Sequence, residues 1–211
     1  MQKISQREVW NKIAERWHHL RQKPFFGIQK WFNFLAKRWK GGKILEVGCG
    51  NCRNLLLFAK EGFDCYGIDF SNEMLKYAKQ YCKNHNFKVK LKRASAEKLP
   101  FKDKSFNYVL SAAVLHHLNT KEKRTKSLKE IKRILKDKGE AYISVWNKWI
   151  LRFIFRPKNY YVPWRVKDKV YLRYYYLFNY FELKKLLKSL NFKIIKSNGI
   201  FSKNLIFLVG K

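Results

Sequence analysis

The chain has 211 residues, 46% of them hydrophobic and 17% aromatic, which suits one ordinary domain with a good core and excludes a disordered composition. Its 47 Lys+Arg against 15 Asp+Glu give a formal charge of +32, so RNA, DNA and anionic membrane surfaces are the candidate partners, although lysines spread along the whole chain are also what a merely solvated surface shows. No stretch approaches the roughly 18 uncharged apolar residues of a membrane span, and Arg7, Lys12, Glu15 and Arg16 interrupt residues 1–20 where a signal peptide needs an apolar core, so a cytoplasmic protein without a membrane segment is expected.

Ser5-Gln-Arg-Glu8 reads as a capping box, and Val9, Ile13, Trp17 and Leu20 follow at helical spacing, with Trp10 and Ala14 beside them. Pro24 ends this helix. A second helix carries Ile28, Trp31, Phe32 and Leu35 on one face and stops at Gly41-Gly42, so residues 1–40 form a helical cap. Strands and helices then alternate: strand 43–47, helix 53–61, strand 64–68, helix from Ser71-Asn72 to 84, strand 87–92, strand 106–111, helix 120–136 burying Leu128, Ile131, Ile134 and Leu135, and strand 140–146 after the turn Asp137-Lys-Gly139. Such alternation predicts a mostly parallel sheet with right-handed crossovers. Residues 147–178 break the pattern as an aromatic, basic insert containing Trp149, Trp164 and Tyr171–Tyr176. A helix at 179–190 and two strands, 192–197 and 203–209, separated by Asn198-Gly199, form the closing segment 179–211. With no repeat and no linker, one α/β domain of seven strands is predicted, with residues 43–146 as its core.

Chemistry concentrates at Lys43-Ile-Leu-Glu-Val-Gly-Cys-Gly-Asn-Cys52 and Tyr66-Gly-Ile-Asp69. An apolar strand enters a glycine turn and then a helix, and a second strand ends on an acid 19 positions after Gly50, a layout that builds a nucleotide-type pocket at the end of a parallel sheet. Gly48 and Gly50 let the backbone approach a ligand that a Cβ would block, and the Asp69 carboxylate stands where it can accept two ribose hydroxyls. Cys49-x-x-Cys52 has metal-ligand spacing, but it lies inside the glycine turn without a well-placed second Cys/His pair, so no metal and free thiols are expected for Cys49, Cys52, Cys65 and Cys82. Ser111-Ala-Ala-Val-Leu-His116-His117 ends the fourth strand at the edge where open α/β sheets bind ligands.

With Glu46 before the glycines and Leu99-Pro-Phe101, these residues resemble the S-adenosylmethionine (SAM) site of class I methyltransferases. The resemblance implies a Rossmann-like α/β fold with helices on both faces of the sheet and a C-terminal antiparallel hairpin. It implies SAM as cofactor, held by Glu46, Gly48, Cys49, Gly50, Asp69, Phe70, Ser95, Ala96 and Ala113. Glu46 would order the loop from beneath through backbone N–H groups, or serve only to fold the turn. Two departures stand out: Ser95 sits where many class I enzymes carry an adenine-binding acid, and Cys52 replaces the third loop glycine.

Beyond this core, Val9-Trp-Asn-Lys-Ile-Ala14, Arg21-Gln-Lys-Pro24-Phe25, Val114-Leu-His-His117, Val145-Trp146, Val162-Pro-Trp164 and Arg173-Tyr-Tyr-Tyr-Leu177 occur in an order that resembles the tRNA wobble-uridine carboxymethyl O-methyltransferases of eukaryotes and archaea. Only residues 165–172 separate the last two pieces, where the eukaryotic enzymes hold a long polar loop. The implied reaction methylates the carboxylate of 5-carboxymethyluridine in the tRNA anticodon loop, with Arg21, His116 and Trp146 at the reacting centre. Arg21 would grip the carboxylate or an anticodon phosphate, and Lys23, His117, Trp164, Arg173 and Tyr174 would bind substrate. The resemblance also implies a small zinc-binding activator, which would add a strand at the edge formed by 87–91. Other readings stay open: a SAM enzyme with a small-molecule or other acceptor, and a non-catalytic RNA-binding scaffold on the same fold.

Overall fold

Residues 4–24 and 26–211 are described by the structure, a computed structural model; Phe25, which ends one of the resemblance's pieces, lies outside them. The capping box forms: the Ser5 hydroxyl accepts the Glu8 N–H, and the Glu8 carboxylate accepts the Ser5 N–H at 2.8 Å. It opens α1 (Gln6–Leu20), which ends before Pro24 is reached because Arg21 already leaves helical geometry, as the residues ahead of a proline tend to. After α2 (Phe26–Arg38) come β1 (Lys43–Val47), α3 (Leu55–Lys60), β2 (Asp64–Asp69), α4 (Asn72–Asn84), β3 (Lys90–Arg93), β4 (Phe106–Ala112), α5 (Lys121–Ile134) and β5 (Leu135–Trp146). The sheet order is β3-β2-β1-β4-β5-β9-β8, where β8 (Lys193–Ser197) and β9 (Asn204–Gly210) form the C-terminal antiparallel hairpin and the first five strands run parallel.

The alternation of buried residues across the sheet explains the layers. Leu45, Val47, Val109, Ala141, Ile143, Val145, Leu205, Phe207 and Val209 face one side, where α5 and α6 (Tyr180–Ser189) bring Leu128, Ile131, Leu183 and Leu187. Ile44, Leu110, Tyr142, Ile206 and Leu208 face the other, against Phe32, Leu35 and Trp39 of α2, Leu55 and Phe58 of α3, and Leu75, Ala78 and Cys82 of α4. A two-sided sheet of this kind needs helices on both faces, and it has them. Two boundaries differ from expectation. Leu135 begins β5 rather than ending α5, because it pairs with Phe106 before a bulge restores the register at Tyr108–Glu140. β3 starts at Lys90, opposite Tyr66, so Phe87 and Val89 pack on the core ahead of the paired strand.

The insert, in which the sequence pattern predicts no strands, contains a second sheet. β6 (Asn159–Val166) and β7 (Lys169–Tyr176) pair antiparallel across a two-residue turn at Lys167-Asp168, with Lys167 at φ +49°. Pro163 within β6 argues against a strand in sequence, and it is tolerated because the hairpin has only two strands. Val162, Tyr175 and Leu177 form a small apolar cluster with Phe153. α1 is tied to the hairpin by Gln6, whose amide donates to Leu172 O at 3.0 Å and accepts from Tyr174 N at 2.9 Å, and by Arg16, which donates to Arg165 O at 2.7 Å. Cap and hairpin thus stand together over the carboxyl edge of the sheet. Among the described residues no helix is long and apolar enough to cross a membrane.

Candidate functional site

The carboxyl ends of β1, β2 and β4, the cap α1 and strand β7 enclose a cavity of about 1150 Å³. At one end the β1–α3 loop turns through left-handed residues, Gly48 at φ +66° and Gly50 at φ +53°. A Cβ on Gly48 would stand 2.6 Å from Val114 Cγ2, and one on Gly50 would stand 3.0 Å from the Trp17 ring, so both glycines are required by space as well as by conformation. Cys52 adopts φ +65° in the position of the missing third glycine and is fully buried. The Asp69 carboxylate accepts the Gly50 N–H at 3.0 Å and the Ser71 N–H at 2.9 Å. Burial outweighs these bonds and pushes its carboxyl up to about 6.

Glu46 lies under this loop, fully buried, and does not line the cavity. The expected backbone bonds are not made, because the loop's N–H groups are already used: Cys49 N by Ile68 O, Gly50 N by Asp69 and Cys52 N by Cys49 O. Instead Glu46 Oε1 accepts the Asn54 side-chain amide at 2.6 Å, and its Oε2 has no partner. Burial pushes the Glu46 carboxyl up to about 8, against the lowering pull of Asn54 and Arg53. Ser95 donates its hydroxyl to Glu97 at 2.5 Å and accepts the Glu97 N–H at 3.2 Å. Glu97 also lines the cavity, so a carboxylate stands two residues after Ser95 in its wall. Ala113, at φ +60°, donates its N–H to Ser144 and completes this wall with Phe70 and Ala96.

The opposite end is aromatic and cationic. Trp146 stacks on Tyr175 with ring centres 4.1 Å apart and on Phe153 at 5.2 Å. The Trp146 N–H donates to His116 Nδ1 at 3.0 Å, which puts the proton of the neutral imidazole on Nε2. That Nε2 is buried without a partner. Burial, with His117 and Arg173 nearby, holds His116 well below the ordinary histidine range, and burial pushes His117, bonded to Tyr174 O at 2.9 Å, down to about 4. Arg7, Arg21, Lys23, Arg53, Lys123, Arg152, Arg173 and Lys203 line the cavity, against Asp69 and Glu97 as its lining carboxylates among the described residues. The four cysteines are free and buried, and no group of three or more His, Cys, Asp or Glu able to hold a metal occurs among the described residues.

Residues 45–143 match the family described as "Methyltransferase domain". A putative methyltransferase of Encephalitozoon cuniculi is 31% identical over 159 residues, 72% of this chain and 70% of that protein. The chain belongs to the class I SAM-dependent methyltransferase family. The tRNA (carboxymethyluridine(34)-5-O)-methyltransferase of Saccharomyces cerevisiae is 30% identical over 139 residues, 66% of this chain, which spans about half (47%) of the yeast protein's length. The crystal structure of a SAM-dependent methyltransferase from Clostridium acetobutylicum superposes with a TM-score of 0.76, at 14% identity, over 95% of this chain and 98% of that one, a likeness of fold.

The methyltransferase's glycine end fits SAM: a loop whose backbone is bared by glycine at the two points where a Cβ would collide, and a buried acid at the end of β2. Of the residues singled out in sequence, Gly48, Cys49, Gly50, Asp69, Phe70, Ser95, Ala96, Ala113, Arg21, Lys23, His116, His117, Trp146 and Arg173 all line the one cavity. Three stand outside it. Glu46 supports the loop from below. Trp164 lies behind the wall, with the Arg173 guanidinium 4.5 Å and that of Arg21 5.8 Å from its ring centre. Tyr174 points to the other face of β7, its hydroxyl bonded to Asn119 O and Asn159. Alternation along β7 brings Tyr175 to the cavity instead, between the two histidines and Trp146. Tyr175, Glu97 and Arg53 are among the lining residues that the sequence pattern does not single out.

Proposed function

We propose that this methyltransferase methylates the carboxylate of 5-carboxymethyluridine at the tRNA wobble position, giving the methyl ester. The observation that carries the reading is a cavity end built of rings and cations that offers no usable base. His117 sits near 4, and His116 is neutral with its Nδ1 taken by Trp146 N–H. Asp69 is bonded to the Gly50 and Ser71 N–H groups, and Glu97 to Ser95. A hydroxyl acceptor would need a proton removed, and an ammonium would be repelled by the arginines. A carboxylate, with a reference pKa of about 4, arrives ionised and attracted.

Bound at the glycine loop, SAM supplies a methyl group on a positively charged sulfur. The protein's contribution is alignment and exclusion of water. Asp69 and the Gly48–Gly50 backbone would hold the cofactor. The Trp146–Tyr175 stack offers a platform for the uracil, and α1 with the β6–β7 hairpin screens the cavity. Basic residues around its mouth suit the anticodon backbone. The likeness to the yeast tRNA enzyme supports the same acceptor. We also propose that a small zinc-binding activator adds a strand to β3, which pairs with β2 alone at the sheet edge; a monodisperse enzyme, fully active by itself, would overturn that part.

The test combines tRNA lacking the ester, labelled SAM and the purified protein, with and without the activator. Nucleosides are analysed by mass spectrometry before and after mild alkali. An alkali-labile methyl gain on a wobble uridine is expected. SAM binding without transfer to tRNA, even with the activator present, refutes the acceptor. A log–log salt slope near −0.7 per single-strand phosphate contacted is expected for tRNA binding, and a flat response favours a small-molecule acceptor.

A further inference from the structure

Arg173 is only 7% exposed, yet among the described residues no carboxylate forms an ion pair with it. Its Nη1 donates to the neutral hydroxyl of Tyr175 at 3.0 Å, and its Nε is buried with no partner. Nearby charge makes matters worse, because Arg21 and Arg152 both act on it electrostatically, and burial lowers its pKa. A buried, unpaired cation is costly to a fold unless something neutralises it.

Arg124 shows what a structural arginine of equal burial looks like in this chain. It is 6% exposed, has its guanidinium 3.7 Å from the Tyr176 ring centre, gives a hydrogen bond to Leu118 O at 2.8 Å and does not line the cavity; Arg173 likewise has one ring, Trp164 at 4.5 Å, and one hydrogen bond, so what sets it apart is the cavity and its orphaned Nε. Arg173 lines the cavity. So does His116, whose Nε2–H is the second orphaned donor there. The two share one neighbour: the Tyr175 ring centre is 4.9 Å from the His116 ring and 5.4 Å from the Arg173 guanidinium.

We infer that Arg173, with the Nε2–H of His116 beside it, forms a built anion site that holds the acceptor's carboxylate. This rests on the carboxylate reading above and moves the grip from Arg21 to Arg173. Arg21 is exposed and donates to Leu20 O at 3.1 Å, a solvated cation suited to a phosphate at the mouth. Only the buried residue gains its missing partner when an anion enters. A guanidinium fork matches a carboxylate, and a neutral N–H donor adds a bond without adding charge.

The test reads stability first, without cofactor or tRNA. Wild type, Arg173→Met and Arg21→Met are melted in sodium acetate and in sodium chloride of equal ionic strength. Acetate is expected to raise the wild-type Tm above the chloride value, to do the same for Arg21→Met, and to lose this excess in Arg173→Met. In chloride, Arg173→Met should melt at or above wild type, because an uncompensated charge is gone; a markedly lower Tm with the acetate excess retained would mean a packing role and overturn the inference. If Arg173→Met does not fold, Arg173→Lys keeps the charge without the fork and should show a reduced acetate excess, whereas an undiminished one refutes the site. In the methylation assay, loss of Arg173 should raise KM for tRNA by about ten- to a hundredfold, the worth of one charged hydrogen bond, with SAM affinity unchanged. An acetate site at Arg173 without tRNA methylation would leave the anion site standing and remove the tRNA acceptor. Methylation of tRNA with unchanged KM and acetate response in the variant would do the reverse.

Discussion

At the glycine end the buried ionisable groups are carboxyls, Asp69 in the cavity wall and Glu46 beneath the loop. Asp69 is raised to about 6 and Glu46 to about 8 because burial outweighs the bonds they receive. At the hairpin end the unmatched charge is positive: Arg173 is buried without an anion, and its pKa is lowered by burial. Both ends therefore hold ionisable groups in their less comfortable state. SAM, with a sulfonium and an ammonium group, suits the first, and an anionic acceptor suits the second. A buried carboxylate at one end of the cavity and a buried guanidinium without an anion at the other are the arrangement that the proposed pairing of a cationic donor with an anionic acceptor calls for.

The comparison breaks most visibly at Asp69. Asp69→Asn removes the charge and one of the two acceptor oxygens that hold Gly50 and Ser71. SAM affinity measured by titration calorimetry should fall by about a hundredfold, from the loss of charged hydrogen bonds together with the loop's anchor, while far-UV circular dichroism keeps the sheet's signature. Unchanged affinity would mean that the acidic end is not the cofactor's.

The two ends also differ in how far the sequence reveals them. Gly48 and Gly50 follow β1 and Asp69 ends the adjacent β2, and their meaning depends on local spacing, so the motif is legible directly. The hairpin end depends on which face of β7 each residue takes. In the run Tyr174-Tyr175-Tyr176 nothing local sets the phase; it comes from the register Arg173–Val162, Tyr174–Tyr161 and Tyr175–Tyr160 beyond the Lys167-Asp168 turn. A one-residue slip exchanges every side chain between faces, so the sequence alone does not distinguish Tyr174 from Tyr175 as the cavity residue. Which of the two sequence readings fits Glu46 depends on features a linear sequence does not show, the prior use of the loop's N–H groups and the approach of Asn54, which together leave it beneath the turn.

Glu46→Gln tests whether the acidic end carries a stability cost. Because the folded carboxyl is pushed up to about 8 from an ordinary value of 4.5, the folded state keeps a proton that the unfolded chain releases. The contribution of Glu46 is then most favourable below about 4.5 and declines as pH rises toward 8, by up to about 1.4 kcal/mol per pH unit. Glutamine can keep the bond to Asn54 and cannot ionise. The gap in unfolding free energy between variant and wild type should therefore open across this window and favour the variant by on the order of 2–4 kcal/mol at pH 8, allowing for relaxation around a buried charge. Parallel stability curves from pH 4 to pH 8 would show that Glu46 is not frustrated and would weaken the contrast between the ends.

The smallest effect separates Ser95 from Glu97. If the acid at 97 takes over the role that the family pattern places at 95, the Ser95 hydroxyl serves to orient the Glu97 carboxylate, as their mutual bonds indicate. Glu97→Gln should then weaken SAM about three- to tenfold, because an amide oxygen still accepts a hydrogen bond but without charge. Ser95→Ala should weaken it by no more than that, since Glu97 stays in the cavity wall and loses only its anchor. Combining the two should cost little more than Glu97→Gln alone, because residues acting through one contact are not additive. If instead Ser95→Ala costs more than Glu97→Gln and the two losses add, the hydroxyl itself contacts the cofactor and Glu97 is a bystander.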